Sequence, residues 1–313
     1  MMNHLKTVTA FAPATSANVA VGFDILGFAV EGVGDSVTLT KSKEPHLTIE
    51  SINGSKLIPY DCEKNTATVA LQAMLGFLDS RQGFSLILNK QIPISSGIGG
   101  SAASSVAAVV ALNHFLLNPL PPEQLIEFAL HGEKVACGVM HGDNVVPCLY
   151  GGMTLIQSLY PLNIIKLPVV PLQVVLIHPH LLLPTRESRA VLNETVDLAT
   201  FVKQNARMAA FISGLYEENY DRMESACIDD VIEPKRAHLI PGFYDVKSAA
   251  HQYGAIACSI SGSGPTMFAF AKEKSQALTI AKHMSLEFKK KGIESDSFMT
   301  TISNQGAIVI DEK

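Results

Sequence analysis

Charge is scarce in this chain of 313 residues: Asp, Glu, Lys and Arg together make up 17%, against roughly a quarter in an ordinary soluble domain. The shortfall implies much buried chain, with a subunit interface as one outlet for it. The formal net charge of −5 argues against an electrostatically driven partner, and nothing in the chain resembles a basic nucleic-acid footprint. The five cysteines, Cys62, Cys137, Cys148, Cys227 and Cys258, are scattered and form no CxxC pair. A disulfide framework and a cysteine zinc site are therefore not indicated, and buried free thiols in a reducing, cytoplasmic setting are expected. The opening MMNHLKTVTAFAP lacks the long apolar core of an export signal. Long uninterrupted apolar runs are missing too. Residues 91–122 and 167–184 carry no charge, but glycines and serines break the first and prolines the second. A spanning helix wants about 20 mainly apolar residues, so both read as buried elements and no membrane partner is expected.

What is present is 47% hydrophobic residues, enough for a large core, in a length that suggests two domains or one large one. Alternation and β-branched content predict strands at Thr7–Phe11, Val33–Lys41, His46–Ile52 and Phe84–Leu88. A polar, glycine-bearing loop is expected over Thr15–Gly27. Asn65 is placed to cap a helix over Thr66–Leu78, whose apolar face carries Ala67, Ala70, Leu71, Met74 and Leu75. The uncharged run Ala102–Phe115 predicts a deeply buried helix, because no face is set aside for water. Pro121 and Pro122 fit the start of another helix reaching Ala136, with Glu133 at the flank of its apolar face. A carboxylate there needs a partner or a metal. The later half reads as a strand near Val169–His178, helices over Arg189–Glu217, Asp221–Ile232 and Phe243–Tyr253, then strands at Ala255–Ile260 and Thr266–Ala271. A helix over Ser275–Lys290 and strands near residues 298–302 and 307–310 close the chain. This order of β, helices, β, β, helix, β fits a ferredoxin-like α+β domain. Two domains are expected, over residues 1–165 and 166–313.

The sharpest local feature is PISSGIGGSAASS, Pro93 to Ser105, between a predicted strand and a predicted helix. Gly97, Gly99 and Gly100 admit backbone torsions closed to other residues. Successive N–H groups can then converge on one anion, and the helix start adds its unpaired N–H groups and positive end. The same loop could be a tight turn before a helix. It is not a Walker A loop, since no GK[ST] closes it, and the GxGxxG spacing fails. Ser101 could offer a hydroxyl, and Glu133 a carboxylate, to Mg²⁺, which prefers oxygen ligands and needs few from protein.

PISSGIGGSAA resembles the phosphate-binding motif of the GHMP kinases. PATSANVAVGFDILG (Pro13–Gly27) resembles that superfamily's first motif and SGSGPT (Ser261–Thr266) its third. Finer details resemble the homoserine kinase branch: Gly22-Phe23-Asp24; His141, Asp143, Asn144 and Pro147; Thr185 and Arg189 four apart; and Glu233, Pro234, Arg236 with LIPGF at Leu239–Phe243. The resemblance implies an α+β fold of two domains, the first like ribosomal protein S5 and the second ferredoxin-like, with the active site between them. It implies ATP and Mg²⁺ as cofactors, L-homoserine as acceptor, and a homodimer.

Residue roles follow from matched positions. Ser101 and Glu133 match the Mg²⁺ ligands. Pro93, Ser95, Ser96, Gly97, Ile98, Gly99, Gly100 and Ser101 match the cradle for the β- and γ-phosphates, and Asn65 a position near adenine. Asn18, Asp24, His141, Asn144, Thr185, Arg189, Arg236 and Gly264 match the acceptor pocket. The two arginines suit a carboxylate, because guanidinium binds it bidentately. Asp24 suits the ammonium or, alternatively, the hydroxyl as a base. Asn144 is expected to face the reacting hydroxyl and accept its hydrogen bond. Two departures stand out: Gly100 replaces the first serine of the usual GLGSSA, and Cys137 and Val139 replace serines before His141.

Overall fold

The computed structural model describes residues 2–192 and 195–313, except for the side chain of Cys137. In chain order the elements are β1 (Thr7–Ala17), β2 (Leu26–Ser42), β3 (Leu47–Asn53), α1 (Thr66–Phe77), β4 (Gly83–Asn89), α2 (Gly100–His114), α3 (Pro122–Cys137), α4 (Gly142–Tyr150), β5 (Met153–Leu159), β6 (Leu162–Leu167) and β7 (Gln173–Pro179). There follow α5 (Thr185–Ala190), α6 (Leu198–Tyr216), α7 (Tyr220–Ala226), α8 (Glu233–Arg236), α9 (Phe243–Gln252), β8 (Ala257–Ile260), β9 (Met267–Ala271), α10 (Lys274–Lys290), β10 (Ser295–Thr301) and β11 (Ile308–Glu312).

The first sheet runs β11-β1-β2-β4-β3, with the β5–β6 hairpin attached to β2. The seventeen-residue β2 makes this possible. Its later part pairs with β4 over Ser36–Ser42, while Leu26–Phe28 pairs with β5. β3 and β4 are parallel, which obliges the chain to cross over, and α1 is that crossover. α2 packs against β1 and β2 on one side and α1 and α3 on another. Its run from Ala102 to Val109 is fully or almost fully buried, which is why no position in it carries charge.

The second sheet has the order β10-β7-β9-β8, all antiparallel. Counted within this half, that is 4-1-3-2 for a β-helices-β-β-α-β chain, the ferredoxin-like arrangement. The two sheets meet through aromatic packing: Phe28 of β2 lies 6.2 Å from Phe268 and 5.3 Å from Phe270 of β9, ring centre to ring centre. One apolar core thus runs from the first sheet into the inner face of the second.

Three segments differ from the sequence expectation. The boundary expected after residue 165 falls inside β6, which pairs with β5 in the first sheet. The last strand, β11, also returns to that sheet beside β1. Strand pairing is a property of distant partners, so neither is visible locally. The helix expected over Arg189–Glu217 is divided into α5 and α6, and residues 193–194 within it lie outside the described residues. The His141–Asn144 stretch opens a helix with His141 at its N-cap. Pro147 inside α4 has no N–H to give the Asp143 carbonyl. Gly27 sits against that oxygen so closely that a Cβ there would come within 1.8 Å of it.

No helix among the described residues is long and apolar enough to cross a membrane. Cys62, Cys148, Cys227 and Cys258 are free thiols.

Candidate active site

A cavity of about 350 Å³ lies between the two halves, lined from Asn18 near one end of the chain to Ser263 near the other. Pro93 to Ser101 forms one wall. Ser95, Gly97 and Gly99 have φ of 54°, 81° and 71°. A Cβ on Gly97 would lie 2.6 Å from the carbonyl oxygens of both Ser261 and Gly264, and one on Gly99 would lie 2.0 Å from Thr15 Oγ1. These two glycines are therefore dictated by close approach as well as by torsion. Gly99 caps α2 without a side-chain bond, so the first N–H groups of that helix are left for a ligand. Ser96 is buried on the cavity wall, and its hydroxyl has no hydrogen-bond partner among the described residues. Unfilled donors beside a helix start suit an anion.

Beneath this wall lies a charge pair that the sequence reading did not single out. Lys90, at the end of β4, pairs with Asp35 of β2. Its ammonium also donates to Gly100 O at 2.7 Å and Ser104 Oγ at 3.1 Å. Asp35 Oδ1 accepts from Gln91 N and Ile92 N. Every polar atom is matched, so the pair is tolerated in the interior and ties the strand end to the first turn of α2.

Glu133, on α3, is buried on the cavity wall. Burial drives its carboxyl up to about 7, opposed by a hydrogen bond with Ser101 and by the positive charge of Lys90. Ser101 and Glu133 thus form an adjacent hydroxyl–carboxylate pair beside the helix start. Its all-oxygen character fits a hard divalent ion such as Mg²⁺. Asp143, also buried on the wall, is likewise pushed up to about 7, by burial first and then by the charges of Asp24 and Glu133. Asn65 caps α1 through Ala67 N at 3.0 Å and lines the cavity beside Ile58 and Pro59.

Another part of the cavity wall is made of side-chain charge. The loop from Asn18 to Ile25 holds Asn18, Val19, Ala20 and Asp24 at φ of 72°, 46°, 58° and 63°. Left-handed torsions cost about 1–2 kcal/mol per residue, more for β-branched Val19. The loop persists because Val19 and Ala20 are buried and Asn18 is bonded at both ends of its amide: Nδ2 donates to Gly262 O at 2.8 Å, and Oδ1 accepts from Asp24 N at 3.0 Å. Such overdetermined strain marks functional loops. Here it presents Phe23 and Asp24. Arg189 grips Asp24 with Nη1 at 3.3 Å and Nη2 at 2.6 Å, and His141 Nδ1 lies 3.6 Å from Asp24 Oδ2. Burial pushes the His141 pKa down; Asp24 opposes this, while Arg189 and Arg236 reinforce it. Arg236 donates through Nε to Ser188 O and through Nη1 to Gly262 O, both at 3.0 Å. Burial lowers its pKa to about 10, still far above neutral. The Phe23 ring lies 5.3 Å from each guanidinium. Thr185 Oγ1 meets Ser263 Oγ at 3.2 Å.

This arrangement, an anion cradle, an oxygen pair for a divalent ion and a charged acceptor pocket, has counterparts in known proteins. Residues 64–152 match the GHMP kinases N terminal domain and residues 208–290 the GHMP kinases C terminal domain. The homoserine kinase of Chlorobium phaeobacteroides (strain BS1) is 41% identical over 98% of this chain and 100% of its own length. The chain belongs to the homoserine kinase family of GHMP kinases. A second relative in that family, the homoserine kinase of Xylella fastidiosa (strain M12), is 41% identical over 95% of this chain and 92% of its own. The crystal structure of homoserine kinase from Cytophaga hutchinsonii superposes with a TM-score of 0.94 at 41% identity, covering 99% of both chains. The fold is shared more widely: the crystal structure of L. major mevalonate kinase in complex with R-mevalonate gives a TM-score of 0.72 at 15% identity over 97% of this chain and 99% of its own.

Of the residues expected in the site, the structure brings all but two onto the cavity wall. Ile98 is fully buried in the core, where its carbonyl accepts from Thr15 N. Gly264 packs against apolar side chains, a Cβ there meeting Ile260, Ile240 and Leu183. Its neighbours Gly262 and Ser263 line the wall instead. Asn18 and Arg236 are largely committed to backbone groups, so both also hold the wall together. Thr15, Phe23, Asp35 and Lys90 received no role from sequence. Phe23 and Thr15 lie within the first motif, and only their neighbours in space reveal what they do.

Proposed function

We propose that this GHMP kinase transfers the γ-phosphoryl group of ATP to the side-chain hydroxyl of L-homoserine, giving ADP and O-phospho-L-homoserine on the route to threonine. The observation that carries the acceptor is the Asp24–Arg189 ion pair, with Arg236 beside it, lining the same cavity as the Pro93–Ser101 wall. A zwitterion can insert there, its ammonium toward Asp24 and its carboxylate toward the guanidinium groups. An acceptor without an ammonium group would offer nothing to the Asp24 carboxylate beyond what Arg189 and His141 already supply.

The backbone from Ser95 to Ser101 and the α2 N-terminus hold the phosphates. Ser101 and Glu133 would hold Mg²⁺, which supplies neutralisation of charge on the phosphates. The acceptor oxygen forms the new P–O bond while the bond to the β-phosphate oxygen breaks and its electron pair leaves with ADP. A loose transition state asks little of the nucleophile, so the hydroxyl proton departs late, to a phosphate oxygen or water. Asn144 was expected to accept the hydroxyl's hydrogen bond. Its Oδ1 already accepts from Thr15 Oγ1 at 2.7 Å, while its Nδ2 donates to no described residue. The amide N–H groups are therefore what Asn144 offers to the reacting oxygens. Asp24 acts as the ammonium anchor, since Arg189 and His141 fix its carboxyl group on the cavity wall. The setting is the cytoplasm, in keeping with free thiols, and the assembly a homodimer, which sedimentation at several concentrations would check.

ADP release by purified enzyme offered L-homoserine, mevalonate or galactose tests the acceptor. Homoserine should be preferred by a wide margin, and a preference for either of the others removes the assignment.

A further inference from the structure

Thr15 touches both the phosphate wall and the Asn144 amide. It is fully buried at the end of β1. Its N–H donates to Ile98 O at 3.2 Å and its hydroxyl to Asn144 Oδ1 at 2.7 Å. Gly99 lies against both groups: a Cβ there would stand 2.0 Å from Thr15 Oγ1 and 3.1 Å from Asn144 Oδ1. The hydroxyl, the carboxamide and the start of α2 are thus stacked with no room for another side chain.

We infer that Thr15 is a positioning residue for phosphoryl transfer, whose hydroxyl sets which end of the Asn144 amide faces the reacting groups. The inference rests on the kinase reading above. A carboxamide is nearly symmetric in shape, and only its hydrogen bonds decide between its two orientations. A buried hydroxyl proton needs an acceptor, and Asn144 Oδ1 is the acceptor Thr15 reaches among the described residues. Donation to Oδ1 turns Nδ2 away from Thr15 and leaves both of its hydrogens for a ligand. Phosphoryl oxygens are negatively charged and accept only. An amide turned the other way would set its carbonyl oxygen against them, replacing attraction by repulsion where charge is being redistributed. Holding the amide in one orientation before substrate arrives is preorganisation by a residue that never touches substrate.

The test is a double-mutant cycle on Thr15→Val and Asn144→Ala, with Thr15→Ser as the conservative variant. It is assayed with whichever alcohol the wild type phosphorylates fastest, so that an error in the acceptor assignment does not obscure it. Valine matches threonine in shape but cannot donate. Thr15→Val should lower kcat by between about tenfold and a hundredfold, the range seen for small misplacements of reacting groups, with both KM values nearly unchanged. Thr15→Ser should stay within about threefold of wild type, and adding Thr15→Val to Asn144→Ala should change kcat by less than about twofold. A role in stability alone predicts a lower Tm with normal kcat per folded molecule; that result overturns the inference, as does an equal kcat loss with and without Asn144. Should Thr15→Val fail to fold, Thr15→Ala in the same cycle decides between the same outcomes.

Discussion

The two walls of the cavity are built from different materials. The phosphate wall is a single run of chain, Pro93 to Ser101, made of backbone, glycine and serine, with the Lys90 ammonium beneath it matched by Asp35. The acceptor wall is assembled from side-chain charge brought from separate segments: Asp24, His141, Arg189 and Arg236. The contrast follows from the ligands. A triphosphate presents many equivalent oxygens, which a row of N–H groups can follow without exact side-chain placement. A small amino acid presents one positive and one negative group, which must be read by charges held at a fixed separation. Backbone binding needs local torsions, whereas charge reading needs distant segments held in register by bonds such as Asn18 Nδ2 to Gly262 O.

The largest expected effect breaks the phosphate wall at its metal side. Glu133→Gln should lower kcat at least about a hundredfold and raise the Mg²⁺ requirement, since even groups that merely orient metal ligands cost about 10–100-fold in affinity. Its thermal stability should hold or rise, because a buried carboxyl is replaced by a neutral amide. Kinetics across a Mg²⁺ series, with a melting curve alongside, checks both halves. Ser101→Ala should follow more mildly, a water standing in for the hydroxyl.

Next is the seam between the walls. Gly97→Ala forces a Cβ to within 2.6 Å of two carbonyl oxygens at a residue with φ of 81°. It should weaken ATP binding and lower Tm together, by several degrees if the seam cannot part, measured by titration calorimetry and scanning calorimetry. Intact Tm with intact nucleotide affinity would mean that the two loops are not rigidly apposed.

On the acceptor wall, Arg236→Ala should raise KM for homoserine about tenfold or more while kcat falls less, because the substrate carboxylate keeps its charge through the reaction. The change also strips a donor from Ser188 O and Gly262 O, so a modest loss of stability accompanies it. Asp24→Asn should likewise act on KM and leave the shape of the pH–rate profile unchanged. Disappearance of the profile's acidic limb in that variant would make Asp24 a base and collapse the division of labour between the walls.

The smallest effect concerns pH. Glu133 and Asp143 both sit near 7, above their ordinary values of 4.5 and 3.8, so the folded chain keeps protons that the unfolded chain releases between those values. Stability from these groups is fully present at low pH and is lost as pH rises through about 7. The unliganded protein should therefore melt a few degrees higher near pH 5.5 than near pH 8 through this linkage. The double variant Glu133→Gln, Asp143→Asn should show a flatter dependence by scanning calorimetry.

Much of the phosphate wall was legible in the chain itself, because local torsion, helix capping and helix burial are properties of neighbours in sequence. The glycines at 97 and 99, the cap at Asn65 and the uncharged α2 were all readable there. The resemblance supplied the acceptor residues, yet not how they are engaged. The Asp24–Arg189 pair joins residues 165 positions apart. The matched Lys90 and Asp35, the orientation of Asn144 toward Thr15, the displacement of Gly264 from the wall and the return of β11 to the first sheet depend on packing between segments remote in sequence. Composition and short-range pattern set what each segment could become. Which atoms face the cavity was decided only when burial forced every polar group among them to find a partner.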